Sequence, residues 1–343
     1  MSRPEPLDPR ALAAAAALCP EPVERVARAG GGGNSRLYRV EAATRSYALK
    51  SYPPKGDDPR DRLGVECRAL RFMVDQGIAC VPRVIAGDAA QGFGLFEWID
   101  GGLAVDPGAA DIDQAVEFLI AIGRLSDAPG AAAMPAASEA CLSGAEIVRQ
   151  VAARRARLAA AADREPALAA FLADRLTPRL AAIEAWARAS GHPFEVDLPR
   201  ARQALIPADF GFHNALRQAD GRLVFIDFEY FGWDDPVKLV ADFLLHPAVP
   251  VSEPLKRRFC AAICAAFAPR DAAFPDRLRL LYPLFAMRWC VILLNEFLPE
   301  RWARRAHAGS ALDWSAAKRR QLERAEQLLD RVAQTYRDFP YGG

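Results

Sequence analysis

The chain has 343 residues, 52% of them apolar and 25% charged, with 44 basic against 43 acidic side chains and a formal charge of +1. That length and apolar content suffice for one large core or two medium ones, about two domains. The even charge balance supplies no field to gather nucleic acid or an anionic membrane, so the partners expected are small molecules or other proteins.

Residues 1–22 read as a Pro-bounded leader carrying one short alanine-rich helix. Its apolar run, 11–19, follows Glu5 and Asp8 rather than a basic cluster, so it reads as a helix and not as a secretory signal. No run approaches the roughly 18–20 apolar residues of a membrane span, and the location expected is cytoplasmic. Residues 23–52 form a small β-unit in which glycines 30–33 separate two strand patterns. A glycine bend lacks the Cβ atoms that would keep backbone amides away from phosphate oxygens; it can equally be an unconstrained hairpin loop.

Tyr47-Ala48-Leu49-Lys50 ends in a lysine, and the helical pattern of 61–73 carries Glu66. After Gln76-Gly77 come a strand from Val81, a bend, and the run Gly94-Leu-Phe96-Glu97-Trp98-Ile99-Asp-Gly101. From Asp106 onward the pattern is helical almost throughout. Ile112, Val116, Leu119, Ile120 and Ile122 form a core stripe at helical spacing, 127–137 is an Ala- and Pro-rich loop, and helices are predicted over 143–162 and 166–190. Further helices are predicted over 237–246, 254–267, 271–298 and 314–339. Arg288 interrupts the apolar stretch 284–294, where an arginine snorkels or lines a pocket. The seven cysteines are scattered, odd in number and without a Cys-x-x-Cys pair, and read as reduced, mostly buried thiols.

The stretch 205–236, LIPADFGFHNALRQADGRLVFIDFEYFGWDDP, holds the chemistry. Asp209 and Asn214 stand five positions apart on a loop-like segment, and Asp227 closes the apolar run Leu223-Val224-Phe225-Ile226 after the turn Asp220-Gly221. Moving a γ-phosphoryl group to a hydroxyl needs an acceptor for the hydroxyl proton and oxygen ligands for Mg²⁺. Asp209 suits the first task; Asn214 and Asp227 suit the second.

Asp209-Phe-Gly-Phe-His213-Asn214 and Ile226-Asp227-Phe228-Glu229 resemble the catalytic core of the aminoglycoside phosphotransferase and choline-kinase-like family, whose fold is similar to that of protein kinases. The resemblance implies an α+β, protein-kinase-like two-lobed fold. A small β-rich N-lobe over 23–100 would bind nucleotide, and a larger mainly helical C-lobe over 101–343 would carry the catalytic loop and the acceptor-binding helices. It implies that Lys50 reaches the nucleotide phosphates and pairs with Glu66, that Gly32, Gly33, Asn34 and Ser35 belong to the phosphate loop, and that Phe96, Glu97, Trp98 and Ile99 form the adenine hinge. Glu229 and His213 would support the catalytic residues from behind. Two departures stand out. Pro207-Ala208 replaces the His-Gly usual before the loop aspartate, and the segment after Asp235-Pro236 leaves the role of Asp242 open.

In that family the helices after the metal segment build the acceptor pocket, which points to 254–310 and to Arg288 and Glu296. This region has no carboxylate excess to suit a polycationic aminoglycoside. A sugar, amino sugar or other small hydroxyl compound, including an anionic one, is the expected acceptor, with ATP or GTP as donor and Mg²⁺ as cofactor. The alternative is a kinase-like module that binds a nucleotide or partner without turnover.

Overall fold

The computed structural model describes residues 7–31, 35–53, 60–302 and 313–342. The chain divides into two compact units, one of Met1–Ala104, Arg124–Ser138 and Pro207–Gly232, the other of Val105–Gly123, Glu139–Ile206 and Trp233–Gly343.

The first unit is built on an antiparallel sheet of β1 (Val23–Gly31), β2 (Arg36–Ala42), β3 (Ser46–Ser51), β4 (Val84–Asp88) and β5 (Phe93–Glu97), in the order β1-β2-β3-β5-β4. Side chains alternate across a strand, so Tyr38 and Val40 of β2 and Tyr47 and Leu49 of β3 turn to one face and are buried. The leader supplies the cover for that face. In α1 (Pro9–Leu18), Asp8 caps the N-terminus by accepting from the Arg10 amide, Pro9 occupies a first-turn position, and Ala11, Ala14 and Ala15 pack into the same core as Tyr38, Val40 and Leu49. Alanines at i, i+3 and i+4 make a smooth stripe that lets a helix lie close on a sheet.

Helix α2 (Arg62–Asp75) begins at Asp61, whose carboxylate accepts from the Gly64 amide at 3.2 Å. A Cβ on Gly64 would sit 2.1 Å from that carboxylate, so glycine is what admits the cap. The stretch Pro207–Gly232 belongs to this first unit. There β6 (Gly102–Leu103), β8 (Ala215–Arg217) and β9 (Leu223–Phe225) form a small antiparallel sheet. The β8–β9 turn closes through Gln218 N to Arg222 O at 2.9 Å, with Gly221 at φ 85°. The strand stops at Phe225, one residue short of the end of the apolar run at Ile226. The Ile226 amide turns to the Asn214 carbonyl at 2.9 Å, and Asp227 takes a left-handed φ of 70°, which ends the ladder.

The second unit is helical, with β7 (Ala204–Ile206) among its helices: α3 (Ala109–Arg124), α4 (Gly144–Ala162), α5 (Pro166–Ala170), α6 (Thr177–Arg188), α7 (Pro236–Leu245), α8 (Glu253–Phe267), α9 (Phe274–Leu293) and α10 (Trp314–Thr335). Between β9 and α7 lies β10 (Gly232–Asp234). The predicted helix over 166–190 is divided by a π-helical turn, Phe171–Leu176. Pro178 has no amide to donate and its ring crowds the preceding turn, and the wider π turn relieves both. Helix α9 is the axis, packed against α4, α6, α7, α8 and α10. Together with the turn that follows it, Phe274–Phe297 is long and apolar enough to cross a membrane, contrary to the sequence expectation, and 83% of that window is buried inside the protein, as suits a core helix.

Candidate active site

Lys50 lies in β3, in register with Leu37 of β2 and Gly94 of β5, and only 8% of it is exposed. Its Nζ donates to Glu66 Oε2 at 2.7 Å and to Asp227 Oδ1 at 2.6 Å, and Glu229 Oε2 stands 3.6 Å away. Burial works against the ammonium form. The carboxylates of Asp227, Glu66 and Glu229 outweigh it and raise the Lys50 pKa, so the lysine stays charged. Glu66 is itself fixed by the Tyr52 hydroxyl at 2.5 Å and the Phe228 amide at 3.3 Å. Its carboxylate keeps the Tyr52 phenol protonated, burial and charge together pushing that pKa up.

Glu229 is held by the Arg62 guanidinium, which also meets the Tyr230 hydroxyl. Burial raises the Glu229 pKa; Lys50 and Arg62 oppose that rise, and Asp227 and Glu66 add to it.

The loop before β8 is built around a second strained residue. Ala208 has φ 60°, outside the range that side chains prefer, and Asp209 follows it, its amide bonded to the Pro207 carbonyl at 2.8 Å. Left-handed backbone at a non-glycine residue costs about 1–2 kcal/mol, and such strain gathers at functional sites. The partly exposed Asp209 carboxylate lies 3.3 Å from His213 Nε2. Gly211 makes room for that ring, since a Cβ would come within 2.8 Å of His213 Nδ1. Asn214 donates through Nδ2 to the Asp209 carbonyl at 2.9 Å, which leaves its Oδ1 as the atom available to a ligand.

The carboxylates of Glu66, Asp227 and Glu229 can offer oxygen atoms all within 4.8 Å of one another. Glu229 Oε2 is buried without a hydrogen-bond donor. The Lys50 ammonium already meets these oxygens, and the Ile226 amide, next to Asp227, bonds the Asn214 backbone carbonyl at 2.9 Å; carboxylate and amide oxygens such as those of Asp227 and Asn214 are the ligand type that a hard divalent cation such as Mg²⁺ takes.

Residues 25–281 match the sequence profile of the phosphotransferase enzyme family. The chain belongs to that family. Among solved structures, this phosphotransferase resembles choline kinase LicA from Streptococcus pneumoniae at 16% identity and TM-score 0.60, covering 92% of this chain and 96% of that one. It resembles the gentamicin–APH(2″)-IIa complex at 13% identity and TM-score 0.62, covering 98% and 99%. Choline kinase from Cryptosporidium parvum Iowa II matches at 12% identity and TM-score 0.58, covering 93% of each chain. No curated protein sequence matches. The protein-kinase-like fold expected from the motifs is therefore the fold of this phosphotransferase.

Of the residues expected in its site, Lys50, Glu66, Asp227 and Glu229 form one network, and Asp209, His213 and Asn214 form an adjoining cluster in the same unit. Gly32, Gly33 and Asn34 lie outside the described residues; Ser35 immediately precedes β2. Phe96 and Glu97 end β5, and Trp98 and Ile99 follow it, with Trp98 Nε1 donating to Asp100 at 2.9 Å.

Arg288 and Glu296 are both buried in the second unit. Arg288 spends its guanidinium on Gln150 at 2.9 Å, Glu139 at 2.7 Å and Asp242 at 3.5 Å. Asp242 also accepts from Trp289 Nε1 at 2.7 Å and lies 3.4 Å from the buried Lys238, so it serves this internal network. Arg62, Tyr52 and Tyr230 were not anticipated. Their sequence signal is slight: Arg62 follows the helix cap Asp61, and Tyr230 follows Glu229 in the motif.

Proposed function

We propose that this phosphotransferase is a small-molecule kinase that moves the γ-phosphoryl group of ATP, or of GTP, to a hydroxyl of a sugar, amino sugar or similar metabolite. The observation that carries the reading is the buried Lys50, held between Glu66 and Asp227 in the unit that also contains the strained Asp209 loop. A lysine locked in this way keeps its charge and its position, which is what binding the α- and β-phosphates asks of it. Relatives of the same fold are named for choline, ethanolamine and spectinomycin phosphorylation, and three carry ADP or ATP.

In this reading Asp209 accepts the hydroxyl proton as the oxygen attacks phosphorus. His213 orients that carboxylate, and Lys50 moves its contact from Asp227 to the phosphates when nucleotide enters. Asn214 Oδ1 and Asp227 would hold Mg²⁺, whose charge would offset that developing on the transferred phosphoryl group. Phe96, Glu97, Trp98 and Ile99 would meet the adenine, and Ser35 would lie beside the phosphates.

The test is ADP release across a panel of sugars, sugar acids, sugar phosphates and amino alcohols, with wild type and Asp209→Ala side by side. Turnover on one class that Asp209→Ala abolishes is the expected result. Equal turnover by the two proteins would remove Asp209 from the chemistry.

A further inference from the structure

The second unit holds a cavity of about 520 Å³ between α7, α8, α9, α10 and the C-terminal segment. That volume lies within the range of small-molecule sites. One wall is aromatic: the buried Tyr282 and Tyr341 meet edge to face, with centroids 5.9 Å apart. The charged lining is Glu253, Lys256, Arg324 and Arg331. Glu253 is answered within the wall by Lys256, whose Nζ lies 3.2 Å from it.

Arg324 and Arg331 are seven residues apart on α10, two turns along one face and about 10 Å along the axis. Neither has an ion-pair partner among the described residues. Two guanidinium groups therefore face the cavity without a carboxylate to neutralise them. Guanidinium is the side-chain group best matched to phosphate and carboxylate oxygens.

We infer that this cavity binds a small organic anion, a compound bearing a phosphate or a carboxylate. A cationic amino alcohol or aminoglycoside would meet two uncompensated positive charges there and is the class the cavity disfavours. The apolar part of that ligand lies along Tyr282 and Tyr341, and its anion meets Arg331, with Arg324 two turns away.

The experiment measures binding of glucose 6-phosphate, gluconate, glucose and glucosamine to wild type, Arg324→Gln and Arg331→Gln, and binding of Mg²⁺–ATP to the same proteins. Both arginines are exposed, so the variants keep the fold. The expected order is an anionic probe above glucose and glucosamine last, with the preferred anion weakened roughly tenfold to a hundredfold by Arg331→Gln. Mg²⁺–ATP affinity is expected to stay within about twofold. Preference for glucose 6-phosphate over gluconate would assign a phosphate, and the reverse a carboxylate.

Glucosamine or glucose binding best, no anionic probe binding, or anion binding unchanged in both variants would overturn the inference while Mg²⁺–ATP binding left the kinase reading standing. Arginine-dependent anion binding without any Mg²⁺–ATP binding would sustain the cavity's anion preference and sink the kinase reading.

Discussion

Lys50 is the residue on which the local electrostatics turn. Three carboxylates surround a buried ammonium, and removing it would leave Glu66, Asp227 and Glu229 facing one another without the cation they share. Breaking a buried ionic cluster in this way costs about 3–5 kcal/mol. Lys50→Met should therefore lower the melting temperature as well as raise the nucleotide KM, and a variant as stable as wild type would show that the cluster is not buried as described.

Asp209→Ala behaves differently. Its carboxylate meets His213 and stands outside the Lys50 cluster, so kcat should fall by at least about a hundredfold while nucleotide affinity stays unchanged. Stopped kinetics and equilibrium binding separate the two.

The pairing of Lys50 with Glu66 was legible through the family resemblance, which joins a strand-end lysine to a glutamate of the following helix. The clasp of Arg62 on Glu229 was not, because it joins residues 167 positions apart and only the tertiary fold brings them together.

At the scale of elements, α7 shows how a helix can bury charge. Asp234, Lys238 and Asp242 follow at i, i+4 and i+8, and Lys238 lies 3.5 Å from Asp234 and 3.4 Å from Asp242. Asp234 Oδ1 also accepts from the Cys141 and Asp235 amides at 2.8 Å each. Burial nevertheless raises the Asp234 pKa to about 6, against 3.8 for the free carboxyl.

A carboxyl whose folded pKa is raised binds more protons folded than unfolded between those two values, so its contribution to stability falls as pH rises from about 4 to 6. Wild type should gain stability relative to Asp234→Asn as pH is lowered through that window. Denaturant melts of both proteins at pH 4, 5, 6 and 7 check this; a constant difference would refute the shifted pKa.

Helix periodicity made α4, α7 and α8 readable nearly to the residue. The π turn inside 166–190 was hidden, since a proline in a helical pattern signals a disturbance and not its form. The work of α1 was hidden too. Its alanine stripe says only that something packs closely, and the partner sheet begins after the helix ends.

At the scale of the molecule, the catalytic stretch 207–232 groups with the β-sheet unit although it lies more than a hundred residues beyond β5 in sequence. The motifs were readable because each needs only a few residues in order. They said nothing of the cavity on α10, whose arginines look in sequence like any solvated helix face. Family membership accounts for the fold and the reaction type; Arg324 and Arg331 lie outside the shared motifs.

The central claim is that the unit holding Lys50 and Asp227 binds a nucleotide through a divalent cation. Its most direct test is the thermal shift of wild type and Asp227→Ala titrated with ATP, with and without Mg²⁺. The expected result is stabilisation of wild type that requires Mg²⁺ and is largely lost in Asp227→Ala. Equal stabilisation of the two proteins, or no nucleotide binding by wild type, would contradict it.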